Sequence, residues 1–427
     1  MSSSAPARLV ARWDQSDLIR RVINALDLAH RMIGTIVETE SANAETATRA
    51  EGVWGLMREK VVSETAMLLL CIEPIGSLDK RIREQIEVVA NLLIPHARHK
   101  DVLAAICLDP GLARDHAAAH VILSRLGFPD PGVDDLLSKS LAMGPNFGPE
   151  RLPHRRLEQA WLARVWDVSE PPTSRDSQLL ADSLLGRPMD ALGSTRLDIY
   201  AFTHAVMYAS DLGRRPIART QSRAAIAADA DAALAHSLDS NDFDLTAEVI
   251  MTWPMLGLAW SPAATFAFSI LASAEDRLGF LPGLTFDFTR YQALNGEDRS
   301  RFAVATSYHT AYVMGFLCAV ALRQGCTPPA AVPPARRSRG AGAALLRLIS
   351  TESPTSCWKE PIDALAPRQQ DSVAPLLLTV LLRRARTQGH LRLVREALEI
   401  ALAYHLIDGP APSQAAALLR RSQALKL

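Results

Sequence analysis

Apolar residues recur every three or four positions along most of the chain, which is the spacing that places them on one face of an α-helix. The first of these stripes starts after Asp14 and continues through Leu18, Val22, Leu26 and Ala29. Short segments rich in Pro, Gly and Asp separate the later stripes, and no stretch alternates long enough to predict a β-strand. The pattern predicts an all-α fold.

The predicted helices are joined by about two to eight residues, a length typical of antiparallel neighbours. We therefore expect antiparallel helical hairpins that form an α/α toroid-like or bundle domain. A segment rich in Pro, Gly and Arg interrupts the pattern and predicts a linker. The predicted organisation is a disordered tail at 1–13, a main α-helical domain at 14–324, a linker at 325–342 and a smaller C-terminal helical region at 343–427.

Two uncharged stretches are long enough to cross a bilayer, Phe302–Leu322 and Val249–Ala274. As a helix the first would measure about 31 Å. It carries a polar run at 306–310, however, and the second contains Pro254 and Pro262, which predict two helices that meet at a turn. We expect buried core helices and no membrane insertion.

Composition narrows the function classes. Basic and acidic residues balance at 46 each, so no global field attracts nucleic acid or an anionic membrane. The five cysteines are scattered and contain no CxxC pair, which is typical of reduced thiols. The polar N-terminus lacks the apolar core of a secretory signal. A cytoplasmic protein that does not bind nucleic acid is expected.

His309 is the first candidate for chemistry, because it lies in the middle of the uncharged stretch Phe302–Leu322. A titratable side chain in a core-like helix must find a partner or shift its pKa. The neighbouring hydroxyl and aromatic groups are typical of a small-molecule pocket. The alternative is a satisfied interior histidine. The predicted substrate-binding residues are Thr306, Tyr308, Tyr312 and, from the other uncharged stretch, Trp253.

A second histidine has a polar face of its own. Tyr200, His204, Tyr208 and Asp211 follow at i, i+4, i+8 and i+11, so they share one side of a helix. Neighbouring phenols can orient a histidine that acts as a general acid, a general base or a metal ligand. The alternative is a core histidine satisfied by a carbonyl or a tyrosine. If the two helices face each other, His204 and His309 form one site.

Two carboxylates complete the candidate set. Glu64 is the only charge between Lys60 and Glu73, so burial would raise its pKa and make it a proton donor, while a nearby cation would keep it ionised. The alternative is a solvated pair with Lys60. Near the second uncharged stretch, Asp242 or Asn241 is expected to cap a helix and Asp244 to complement its dipole, which leaves Glu248 for function. The predicted catalytic residues are His204, His309, Glu64, Tyr200 and Tyr208.

The sequence leaves two alternatives for the cofactor. The protein binds a divalent metal, or it has no cofactor. Three of the side chains Glu64, His204, Glu248 and His309 would suit a first-row metal, and the predicted ligands are His204, His309 and Glu248. His116 and His120 form a sharper local pattern at i, i+4, but they lack the glutamate of the HExxH motif. A pair of surface histidines is the favoured interpretation there.

Three segments, 58–70, 197–208 and 305–315, resemble those of uncharacterised all-α actinobacterial proteins associated with natural-product biosynthesis. The resemblance implies a role in specialised metabolism and assigns no catalytic residue. We expect an enzyme, of open reaction class, that acts on a small molecule or peptide in a helical interior pocket by histidine acid/base or metal-ligand chemistry. The alternative is a non-catalytic scaffold or partner subunit that docks through the Arg-rich linker and the C-terminal helices, in a homo-oligomer or on another protein.

Overall fold

The computed structural model describes residues 13–45, 58–143, 150–167, 174–217, 221–349 and 356–425. These residues contain α-helices, two short 3₁₀ turns and no β-strand, which confirms the all-α prediction. The first helices are α1 Gln15–Glu45, α2 Arg58–Ile72, α3 Lys80–Ala97, α4 Lys100–Leu108, α5 Ala113–His116, α6 Ala118–Arg125, α7 Pro131–Met143, α8 Pro153–Trp166 and α9 Ser174–Asp182.

The middle of the chain forms α10 Arg196–Ala209, α11 Arg223–Asp239, α12 Phe243–Ile250, α13 Thr252–Leu256, α14 Pro262–Leu278, α15 Phe288–Ala293 and α16 Gly296–Arg323. The last helices are α17 Ala341–Leu348, α18 Lys359–Asp363, α19 Pro367–Ser372, α20 Ala374–Thr387, α21 Leu391–Ala403 and α22 Pro410–Ala424.

Six helices form a closed ring, because each packs on the next: α2 on α6, α6 on α8, α8 on α10, α10 on α12, α12 on α16, and α16 back on α2. Three of these pairs, α6 with α8, α8 with α10 and α10 with α12, are separated by one helix along the chain. The other three pairs join distant segments, so long-range contacts between apolar helix faces close the ring. It surrounds the cavity described below.

Helix α16 is the central element, and its most extensive contact is with α1. Acidic residues in its first turn, Glu297 and Asp298, and Arg323 in its last turn complement the helix dipole. Within the described residues it is the one helix long and apolar enough to cross a membrane, and 67% of its apolar window is buried inside the protein. Core helices of globular proteins share this property.

The second uncharged stretch is divided as predicted. Helix α12 ends at Ile250, and the short α13 ends at Leu256. The next residue, Gly257, has a φ of 62°, in the left-handed region that favours glycine. Ser261 then caps α14 by accepting a hydrogen bond from Ala264 N, and Pro262 occupies its first turn. Turn chemistry therefore prevents one long apolar helix at this point.

The C-terminal helices pack on the preceding part of the fold through α20 and α11. Arg384 Nε donates to Asp239 Oδ2 at 2.9 Å, and Arg383 donates to the backbone carbonyls of Ala191 and Ser194 at 2.8 and 2.7 Å. These arginines hold α20 in place. Residues 325–340 contain no helix, whereas α17 begins at Ala341, inside the segment predicted as a linker. The predicted domain boundary stays a prediction.

We predict that Gly315→Ala destabilises the fold. A Cβ atom at this position would lie 2.6 Å from Ala25 Cβ and 3.3 Å from Leu68 Cδ1, so α16 would be forced away from α1 and α2. Overpacking of this kind lowers the free energy of unfolding by about 1–3 kcal/mol, which denaturant titration measures. Gly34→Ala is the matched control: this glycine lies in α1 with no atom near the added Cβ, so helix propensity should raise stability by up to about 1 kcal/mol. Equal stability of the two variants would contradict the close-packing argument.

Candidate functional site

A cavity of about 350 Å³ lies inside the six-helix ring. Its apolar wall comes from methionine, isoleucine and aromatic side chains: Met67, Ile122, Trp161, Met207, Met251 and Phe316. Its polar wall carries an unusual density of titratable groups: Lys60, Glu64, Arg155, Glu158, Tyr200, His204, Tyr208, Glu248 and His309. A mainly apolar cavity with a few convergent polar groups is the usual form of a small-molecule site.

Helix α10 places three rings on this wall. Thr195 and Asp198 form a capping box that fixes the start of the helix. From there the helical repeat brings Tyr200 and His204 into contact, with ring centroids 3.7 Å apart, and Tyr208 lies 5.8 Å from His204 on the other side. The shared face is the one that the spacing predicts.

His204 is held as one tautomer. Its Nδ1 lies 2.9 Å from the carbonyl oxygen of Tyr200, and because a carbonyl can only accept, Nδ1 carries the hydrogen. Burial, with a further contribution from the nearby Arg155 guanidinium, lowers the pKa of His204 to about 3. The ring is therefore neutral around pH 7, and Nε2 is its unprotonated nitrogen.

Glu248 lies next to His204 and is almost completely buried. It accepts a hydrogen bond from Thr203 Oγ1 at 2.6 Å, and its Oε2 lies 3.6 Å from His204 Nδ1. Burial, reinforced by the neighbouring Asp244 carboxylate, raises the pKa of Glu248 to about 8. The start of α12 is fixed by Asp242, which accepts from Leu245 N at 3.0 Å, as a helix cap does.

His309 lies between two carboxylates. Its Nδ1 is 3.1 Å from Glu64 Oε2 and its Nε2 is 3.4 Å from Asp244 Oδ1. Burial acts to lower the pKa of His309, but Asp244 and Glu64 outweigh it and raise the pKa to about 9. The same contact holds the pKa of Glu64 below its usual value, although burial opposes this. The His309 side chain is 32% exposed, and that part faces the cavity.

Opposite these groups, α8 contributes an ion pair to the wall. Arg155 Nη1 donates to Glu158 Oε2 at 2.8 Å, and the other carboxylate oxygen of Glu158 accepts from the Tyr208 hydroxyl at 2.9 Å. Arg155 Nη2 also donates to the Tyr200 hydroxyl at 3.3 Å. This chain of hydrogen bonds fixes both tyrosines that flank His204.

Comparison with known families gives one match. Residues 14–319 match the family described as a domain of unknown function, DUF6895. The chain belongs to the DUF6895 family. No curated protein and no solved structure matches it. All six helices of the ring begin within the matched segment of the DUF6895 domain, and every residue named on the cavity wall lies inside it, whereas α17 to α22 follow it.

The DUF6895 cavity brings together the five predicted catalytic residues, His204, His309, Glu64, Tyr200 and Tyr208, and also Glu248. Of the alternatives for Glu64, the structure favours a carboxylate kept ionised by nearby cations, because Lys60 Nζ lies 3.6 Å from its Oε1 and His309 approaches the other oxygen. These contacts lower its pKa, so the proton donor expected from burial alone is not supported, and the carboxylate is too buried for a solvated pair. His204 is hydrogen-bonded as the alternative of a core histidine requires, because the Tyr200 carbonyl accepts from its Nδ1. The ring nevertheless lines the cavity.

The four predicted substrate-binding residues do not belong to the cavity wall. Trp253 is buried in the core, the Tyr312 hydroxyl bonds to Thr65 Oγ1 at 3.0 Å, and Thr306 donates to the carbonyl of Phe302 at 2.7 Å. Tyr308 is buried beside Glu64. Helical spacing explains the difference, because His309, Val313 and Phe316 share the face of α16 that lines the cavity, and Tyr308 and Tyr312 follow an adjacent face.

The interpretation of His116 and His120 as a surface pair on one helix is wrong. The helix breaks at Ala117, so the two histidines belong to α5 and α6. His120 is fully buried, with Nε2 3.1 Å from Asp134 Oδ1, and its Nδ1 accepts from Arg98 Nε at 3.2 Å. It is a satisfied structural histidine.

Two of the three predicted metal ligands, Glu248 and His309, belong to one cluster of possible ligand atoms. In the described part of the chain, the group whose ligand atoms all lie within 4.8 Å of one another is Asp244, Glu248 and His309, and His204 lies outside it. Asp244 and the Arg155–Glu158 pair were not predicted as site residues. The spacing of Asp244 and Glu248 at i, i+4 on one helix face was the available signal. Arg155 and Glu158 carry no such signal, because only the closure of the ring brings α8 to the site.

We predict that His154 makes the fold acid-sensitive. Its ring packs 5.8 Å from that of Tyr200, and burial, aided by Arg155, lowers the pKa of His154 from 6.5 to about 4. The unfolded chain therefore binds a proton near pH 6.5 and the folded chain does not, so the free energy of unfolding should fall as the pH drops from 6.5 to 4. His154→Phe keeps the ring contact and should reduce this dependence, leaving the part that His204 contributes, as measured by denaturant titration at several pH values. The exposed His30→Phe is the control; a slope in His154→Phe equal to that of the wild type would refute the assignment.

Proposed function

We propose that the DUF6895 domain is an enzyme that binds a small molecule in its interior cavity and moves a proton to or from it, with His204 as the general base. The observation that carries this proposal is the position of His204. Its ring lies on the wall of a cavity of about 350 Å³, fixed through Nδ1 by a backbone carbonyl and flanked by Tyr200 and Tyr208. Such a ring holds one unprotonated nitrogen in a fixed orientation, which is the geometry of a general base. Its low pKa makes it a weak base, so the proton it removes must be an acidic one.

The surrounding groups favour a substrate with an apolar body and a polar end. Methionine and aromatic side chains offer the apolar surface, while the hydroxyls of Tyr200 and Tyr208, both tied to the Arg155–Glu158 pair, offer hydrogen bonds of fixed direction. Because ligand cavities span about 300–1,000 Å³, this one is at the small end of the range. Of the two predicted substrate classes, the volume favours a small molecule over a peptide longer than one or two residues.

A role in specialised metabolism remains part of the proposal. Its support is the resemblance of segments 58–70, 197–208 and 305–315 to proteins associated with natural-product biosynthesis, and these segments contain Glu64, His204 and His309. The five cysteines are free thiols, which supports a cytoplasmic location. The scaffold alternative is weakened at one point, because Arg383 and Arg384 bond within the fold and are occupied.

The test compares His204→Gln with the wild type. Both proteins are incubated with a metabolite extract in deuterated water, and untargeted mass spectrometry follows new products and deuterium uptake. A general base contributes about 10²–10⁴-fold to rate, so His204→Gln should slow turnover at least 100-fold. The exposed His30→Gln is the matched control and should react like the wild type.

The melting temperature separates catalysis from folding. His204→Gln should melt within a few degrees of the wild type, because glutamine can still donate a hydrogen bond near the Tyr200 carbonyl. Turnover by His204→Gln at the wild-type rate would reject His204 as the base. A loss of activity that only parallels a loss of stability would instead assign the histidine a structural role.

A further inference from the structure

We propose that Asp244, Glu248 and His309 bind one divalent first-row metal ion at the edge of the cavity, and that Glu64 orients His309 for this purpose. Glu248 and His309 belong to the cavity wall, and Asp244 lies one helical turn before Glu248 on α12. The ion's catalytic role rests on the proposed function, but its binding does not.

The distances suit shared coordination. One ligand atom of each of the three side chains lies within 4.8 Å of the others, and His309 Nε2 is 3.4 Å from Asp244 Oδ1. Two ligands with bonds of about 2.0–2.2 Å to one ion are separated by roughly 3–3.5 Å when they subtend 90–110°. Two ligands at i, i+4 on one helix and a third on a helix packed against it form a rigid set.

Polar atoms without hydrogen bonds converge at this point. Asp244 Oδ1 is buried and has no hydrogen-bond partner, and the residue as a whole is only 8% exposed. Glu64 Oε2 and His309 Nδ1, although 3.1 Å apart, are not aligned as a hydrogen bond either. Buried polar atoms of this kind are costly unless a partner satisfies them, and an ion bound by Asp244 Oδ1 would do so.

The charges around the cluster do not balance. Lys60 lies beside Glu64, and Arg196 bonds to Asp242 at 2.7 Å and approaches the second oxygen of Asp244 at 3.6 Å. Even a protonated His309 would neutralise only one more carboxylate. Glu248 receives the Thr203 hydroxyl, and the nearby His204 Nδ1 donates its hydrogen to the Tyr200 carbonyl. A buried carboxylate in this position requires a proton or a cation, and a divalent ion would satisfy Asp244 and Glu248 together.

Glu64 then has a defined part as a positioning residue. A metal-binding histidine usually donates its second ring N–H to a carboxylate, which fixes the ring and strengthens the ligand. With Nε2 on the ion, His309 would carry its hydrogen on Nδ1, which lies 3.1 Å from Glu64 Oε2, so a small reorientation of the two side chains on metal binding would align them as a hydrogen bond. Lys60, 3.6 Å from the other oxygen of Glu64, favours the ionised carboxylate that this arrangement needs.

One histidine and two carboxylates suit Zn²⁺, Mn²⁺ or Fe²⁺. Three protein ligands leave at least one coordination position for water or substrate, as in catalytic sites. On the cavity wall the ion would polarise a substrate oxygen or lower the pKa of a bound water.

The experiment measures the ion itself. Chelator-treated full-length protein is titrated with Zn²⁺ by calorimetry, and one ion should bind per chain. Asp244→Asn, Glu248→Gln and His309→Gln should each weaken Zn²⁺ binding by more than about 100-fold, and Glu64→Gln by about 10–100-fold, as other second-layer substitutions do. Asp231→Asn is the control, a half-buried carboxylate on α11 that accepts from Ser261 and should leave affinity unchanged.

A variant that gains a spectroscopic signal provides a test that a loss of folding cannot imitate. Circular-dichroism melts establish which variants are folded. Asp244→Cys would place a thiolate at the ion, so the Co²⁺-loaded variant should show a thiolate-to-cobalt charge-transfer band that Co²⁺-loaded wild type and Asp231→Cys lack.

Three results would overturn the site: folded wild type that binds neither Zn²⁺ nor Co²⁺, ligand variants that bind Zn²⁺ as tightly as the wild type, or a folded Asp244→Cys without the charge-transfer band. None of these readouts depends on a substrate. Tight Zn²⁺ binding with full turnover in His204→Gln would support the metal site and reject only the proposed base, so the two failures are distinguishable.

Discussion

The close approach of α1 and α16 at Ala25 and Gly315 is the constraint on which the rest of the structure depends. Only a residue without a side chain allows the two helices to pack at this distance. With one face of α16 committed to α1 and α2, the face that carries His309, Val313 and Phe316 is directed at the cavity. The packing of a core helix therefore determines the orientation of His309, the histidine that lies between two carboxylates.

The two cavity histidines are driven in opposite directions by the same low-dielectric interior. His204 is buried close to the Arg155 guanidinium, so burial and charge act together against its protonated form and outweigh the opposing effect of the hydrogen bond to the Tyr200 carbonyl. His309 receives carboxylates on both sides, which outweigh burial. Environment thus gives two chemically identical side chains opposite charge states around pH 7, one neutral and one cationic, as environment does in known acid–base sites.

Sequence periodicity was sufficient for the features that depend on one helix at a time. It predicted the all-α class, the buried core helix around His309, the turns within Val249–Ala274, and the shared face of Tyr200, His204 and Tyr208. It could not assign Asp244, because an acidic residue in a first helical turn has the same signature whether it complements the dipole or faces a histidine on another helix. Sequence could not tell that Trp253 and Tyr312 lie away from the cavity for a similar reason, since aromatic residues pack in cores as readily as in pockets. The helix break at Ala117, before the buried His120, could not be predicted either, because no glycine or proline occurs at that position.

The arginines of α20 have a consequence for the boundaries of the functional unit. Arg383 and Arg386 donate to the carbonyls of Ala191, Leu192 and Ser194, in the segment that leads directly into the capped start of α10. The segment that precedes the helix carrying His204 is thus held by residues that lie beyond the DUF6895 match. A fragment that ends at the family boundary would lose these hydrogen bonds, so the C-terminal helices contribute to the support of α10.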